Sequence, residues 1–103
     1  MAGASQLVVL SRQPAGTNGL SSLGTRGEIV SALANYNTAP QREGEDILYG
    51  PGIRLELPPG QKDISQMLLT LVEEEIAWLT IMRLAKTFQW KLLDTATGRE
   101  LTP

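Results

Sequence analysis

Four apolar residues in a row, Leu7 to Leu10 with two valines among them, open the patterned part of the chain. Such an uninterrupted β-branched run predicts a strand over 6–12, buried on both faces and central in its sheet. Turn formers then crowd 13–24, where Pro14, Gly16, Asn18, Gly19, Ser21, Ser22 and Gly24 predict a long Gly-rich loop. Thr25 opens a helix, because Glu28 three residues on completes a capping box. Ile29, Ala32, Leu33 and Tyr36 recur at helical spacing until Asn35 to Asn37, and Pro40 closes the segment. Beyond a polar connector, 46–49 and 53–57 predict a hairpin about Gly50-Pro51-Gly52. In its second strand Ile53, Leu55 and Leu57 alternate with Arg54 and Glu56.

Pro58-Pro59-Gly60 ends that strand, and Asp63 with Gln66 repeats the capping-box spacing. The apolar pattern beyond predicts one long helix from Ile64 to Thr87, about 35 Å in length. Its acids Asp63 and Glu73 to Glu75 precede Arg83 and Lys86, the order that the helix dipole favours. Residues 89–93 then predict a strand, 94–98 a turn and 99–101 a short returning edge strand. The element order is β-α-β-β-α-β. With right-handed crossovers this predicts an α+β, ferredoxin-like sandwich, one antiparallel sheet with two helices on one face.

At 103 residues the chain suffices for one domain, with tails at 1–5 and 102–103. Its 42% hydrophobic and 19% charged content and mean hydropathy of -0.08 are those of a folded chain rather than a disordered one. It has neither Cys nor His. That removes thiolate and imidazole chemistry, disulfides and the usual zinc and iron-sulfur ligand sets, so no metal or cofactor is expected. A net charge of -2 and scattered arginines argue against nucleic acid and against a polybasic membrane contact. No apolar stretch reaches the roughly 20 residues that a spanning helix needs. Leu7 to Leu10 is too short for a signal-peptide core, which leaves a cytoplasmic location as the expectation.

Three places carry candidate chemistry. Glu75 falls inside the apolar arc of the expected long helix, with Ile64, Leu68, Leu71, Leu79 and Met82, so it is expected to face the sheet and to need a partner. Its functional reading is a general acid or base; its structural reading is a paired or solvated carboxylate. Gly24, Thr25 and Arg26 stand at a helix start, where free N–H groups and a guanidinium bind anions. The loop is not a P-loop, because Thr25-Arg26 stands where Lys-Ser/Thr is required. The third place is the sheet face that two helices leave open, where Leu7, Val9 and Leu48, flanked by Arg54 and Glu56, are expected to form an interface. Trp78 and Trp90 read as packing residues. The leading expectation is a non-catalytic domain that homodimerises through the open sheet face and takes a small anionic ligand or a protein partner. The alternative is a small enzyme with Glu75 as acid or base and the start of the first helix as its anion clamp.

Overall fold

Leu7 and Val9 point to one side of the first strand and Val8 and Leu10 to the other, and only Leu7 and Val9 are fully buried. The computed structural model describes residues 6–12 and 21–101; the tails 1–5 and 102–103 and most of the Gly-rich loop, 13–20, lie outside the described residues. The elements are β1 (Gln6–Ser11), β2 (Gly24–Thr25), α1 (Arg26–Ala34), β3 (Ile47–Gly50), β4 (Ile53–Glu56), β5 (Asp63–Ile64), β6 (Gln66–Leu71), α2 (Glu74–Phe88), β7 (Trp90–Asp94) and β8 (Glu100–Leu101). Six strands form an antiparallel sheet in the order β3-β4-β6-β1-β7-β8, and β2 pairs with β5 in a separate ribbon. The expected α+β domain, with an antiparallel sheet and two helices, is therefore observed. The expected β-α-β-β-α-β order is not, because β6 adds a strand between β1 and β4; the returning edge strand expected over 99–101 is present as β8.

Residues 64–73 account for the difference. The pattern predicts one helix from Ile64, yet Ile64 closes β5, Gln66–Leu71 is a strand and the helix starts only at Glu74. Gln-Met-Leu-Leu-Thr-Leu fits either period over so short a run. In the fold Met67 and Leu69 are buried while Leu68 and Thr70 are half-buried, which is the period of two. Backbone pairing on both sides decides the matter. β6 runs against β1 from Gln6↔Thr70 to Leu10↔Gln66 and against β4 from Ile53↔Leu71 to Glu56↔Leu68, so its N–H and C=O groups find partners distant in sequence. Asp63 consequently caps no helix.

β1 and β4 both run antiparallel to β6, so they are parallel to each other, and the connection between them carries α1. β6 and β7 are likewise parallel on either side of β1 and joined through α2. Strand residues of a single parity, among them Leu7, Val9, Leu55, Met67, Leu69 and Leu92, form one buried cluster with Ile29 and Leu33 of α1 and Ala77, Ile81, Leu84 and Ala85 of α2. Both helices thus cover the same face. Trp90 is buried and stacks on Phe88 at 5.8 Å, Tyr36 meets Phe88 edge-on at 5.4 Å, and Trp78 packs partly buried against the core. Among the described residues no helix is long and apolar enough to cross a membrane.

α1 begins as expected: the Thr25 hydroxyl accepts from the Glu28 N–H and the Glu28 carboxylate accepts from the Thr25 N–H. α2 begins differently. Its N-cap, Glu73, makes no side-chain capping bond, and the start is held by the β3–β4 turn. That turn has two residues, Pro51 and Gly52, because Gly50 and Ile53 already pair. The Gly52 carbonyl accepts from the N–H groups of Val72 (2.8 Å) and Glu73 (3.0 Å), and the Thr80 hydroxyl donates to the Pro51 carbonyl at 2.8 Å. Gly52 has φ +75°, and a Cβ there would lie 2.8 Å from both the Ala77 nitrogen and the Glu73 carbonyl oxygen. Only glycine fits, for backbone conformation and for space alike.

Gly52→Ala is expected to cost more than ~2 kcal/mol, since backbone atoms on both sides must move and the left-handed conformation adds ~1 kcal/mol of its own. Gly60 has φ +74° with open space around it, so Gly60→Ala carries the conformational cost alone. Urea midpoints of the two variants measure the difference; equal losses would show that the turn does not pack on α2.

Candidate functional site

Strand pairing lays the second parity of the sheet out as rows on the helix-free face. One row runs Ile47, Glu56, Leu68, Val8, Leu93, Glu100 across all six strands. Its aliphatic members span four strand spacings, about 19 Å at ~4.8 Å each. Beside it Leu10 lies between Gln66 and Lys91. On the other side Thr70 lies between Gln6 and Arg54, and Arg54 pairs in turn with Tyr49. The face is therefore an aliphatic band, interrupted by Glu56 on β4, with polar margins. Val8, Leu10, Leu68 and Leu93 are half-buried by their neighbours rather than sealed by a helix.

A cavity of about 290 Å³ opens beside the middle of the band, lined by Val8, Leu68, Glu56, Gln66 and Pro58-Pro59. Arg54 Nε stands 3.9 Å from Glu56 Oε2, both side chains being more than a third exposed, so the pair contributes little to stability. Arg54 Nε and Thr70 Oγ1, on residues opposite each other in register, are buried and make no hydrogen bond among the described residues.

The expected interface residues divide by parity. Arg54 and Glu56 are on the helix-free face, but Leu7, Val9 and Leu48 are fully buried beneath the helices. The run Leu7 to Leu10 contains both parities and so does not reveal which pair the helices cover. Val8, Leu10, Leu68 and Leu93 take their place. The available signal was the alternation at 53–57, which puts Arg54 and Glu56 on the wetter side; register then transfers that side to Leu68 and Val8.

Glu75 does not face the sheet. It is exposed in the first turn of α2, because a helix that begins at Glu74 buries Ala77, Ile81, Leu84 and Ala85 instead of continuing an arc from Ile64. The cavity beside Gly24, about 180 Å³ between α1 and Phe88 and Trp90, is not lined by Glu75. Among the described residues a shared acid–anion cleft is thus not assembled. Among the described residues no cluster of Asp and Glu could hold a metal ion.

The start of α1 spends most of its donors on the chain itself. The Gly24 N–H donates to the Ser22 hydroxyl, the Thr25 N–H to Glu28, the Arg26 N–H to the Lys62 carbonyl and the Glu28 N–H to Thr25. Arg26 Nη2 pairs with Asp46 and donates to the Pro58 carbonyl at 3.3 Å, leaving Nη1 without a partner. The Glu28 carboxylate already supplies negative charge at this terminus. Arg26 reads as a tie between α1 and the segments on either side of the β3–β4 hairpin.

Sulfate is accordingly expected to raise the melting temperature of the wild type and of Arg26→Ala by the same increment over chloride at equal ionic strength, the generic exclusion effect alone. An increment lost in the variant would restore the anion site. Comparison with protein-family models, with curated proteins and with solved structures finds no match to this chain.

Proposed function

We propose that this is a non-catalytic association domain whose helix-free sheet face meets the same face of a second copy. The observation that carries the reading is the aliphatic band of Leu68, Val8 and Leu93, in register on three adjacent strands, with Ile47 beyond Glu56 in the same row and, among the described residues, no helix over it. Water leaves apolar surface at a gain of roughly 25 cal/mol per Å², and a two-fold contact buries the band twice. The margins suit such a contact. Arg54 on one copy and Glu56 on the other can pair across the axis. The fold reading belongs with this proposal: β4, β6, β1 and β7, linked through α1 and α2, follow the connectivity of a ferredoxin-like plait, with β3 and β8 added at its edges. That plait has one sheet face free of helices.

Sedimentation velocity over a dilution series tests the proposal. Val8→Lys and Leu68→Lys are expected to lower the mass below that of the wild type with far-UV circular dichroism unchanged, while Leu7→Lys unfolds the chain. A wild type that stays monomeric when concentrated, or a Val8→Lys mass equal to the wild type's, ends the sheet-face reading.

A further inference from the structure

The most exposed large apolar residues are elsewhere, at the start of α2 and along its outer side. Leu79 is 76% exposed, Val72 60% and Ile76 41%. At 3.6 residues per turn Leu79 stands opposite the buried line of Ala77, Ile81 and Leu84, so this side faces away from the sheet. Glu75 and Arg83 project on the same side, four residues before and four after Leu79, about 6 Å along the axis each way. Beside the stripe a groove of about 510 Å³ lies between α2 and the segments at Tyr36 and Pro51, with Ile76, Leu79, Arg83 and Lys86 on its wall.

Among the described residues neither Glu75 nor Arg83 forms an ion pair. Neither Glu75 nor Arg83 has an opposite charge three or four positions away along the helix. Among the described residues the ion pairs are Arg26–Asp46 and Arg54–Glu56 only. The pattern is instead symmetric about Leu79: acid before, base after, aliphatic between. We propose that α2 docks antiparallel against the α2 of a second copy, with Leu79 on the two-fold axis, Ile76 packing against Met82 of the other chain, and Glu75 facing Arg83 at both ends. An unrelated partner would not require acid and base to be equidistant from the exposed leucine; a second copy in antiparallel register does. The adjoining groove receives the side chains that cross the axis. This surface is on the opposite side of the molecule from the helix-free sheet face, so the inference stands apart from the proposed function. If both contacts form, alternating two-fold axes extend assembly beyond a dimer.

Charge reversal tests the register in a Val8→Lys background, where the sheet-face contact is disabled. That protein is expected to dimerise through α2. Glu75→Arg alone and Arg83→Glu alone each set like charges together at both ends of the contact and are expected to weaken the dimer by more than ~10-fold, and the double reversal to restore it. A Val8→Lys protein that is monomeric throughout, single variants that stay dimeric, or a double variant that fails to recover would overturn the inference while leaving the sheet-face result untouched. If Val8→Lys does not fold, Leu68→Lys serves as the background. The chain has no Cys, and a thiol introduced by Leu79→Cys on the axis is expected to cross-link copies on mild oxidation faster than one introduced at exposed Gln61. Equal rates would overturn the inference in the same way.

Discussion

Strand β6 is paired along both edges, with β1 on one side and β4 on the other, and most of the remaining architecture follows from that double pairing. It separates β1 from β4, so the connection through α1 must pass over one intervening strand. It uses residues 66–71 as strand and leaves α2 only the segment from Glu74 onward. It also fixes parity. Once Met67 and Leu69 join Leu7, Val9 and Leu55 in the core, Leu68, Val8 and Glu56 must share the other face, because neighbours in register project to the same side.

The helices are attached at points that local sequence supports unequally. α1 carries its own start signal in Thr25 and Glu28 and is further tied by Arg26 to Asp46 and to the Pro58 carbonyl. α2 has acids in its first turn, which suit the dipole, but no capping side chain. The N–H groups of Val72 and of the N-cap Glu73, just before its first turn, instead meet the carbonyl of Gly52, and the absence of a Cβ at Gly52 lets the helix backbone come that close. A turn between two strands thereby anchors the entry into a helix more than twenty residues further on. The hairpin and α2 are in consequence mechanically one unit.

Two surfaces remain after the core is accounted for, and they differ in kind. The sheet face is a broad aliphatic band of half-buried side chains with polar margins, suited to a flat contact. The outer side of α2 is a narrow ridge of fully projecting residues flanked by opposite charges. Both surfaces are compatible with a two-fold axis. The chain's small net charge of -2 opposes neither contact strongly.

Several features were determined by the sequence itself, because they rest on interactions within a few residues. These are the capping box at Thr25 and Glu28, the end of α1 before Pro40, the hairpin about Pro51-Gly52, the turn after Asp94 and the lack of any thiol or imidazole. Segments that read equally well in two periods were decided only by tertiary structure. Residues 66–71 became strand because β1 and β4 offered backbone partners on both sides, and Leu7 with Val9, rather than Val8 with Leu10, went inside because register with Met67, Leu69 and Leu92 placed them there. Glu75 turned outward for the same reason, since its direction depends on where α2 begins, and that start was set by Gly52, distant in sequence and adjacent in space. A residue's period is local, but the face it occupies is a property of the strand or helix beside it.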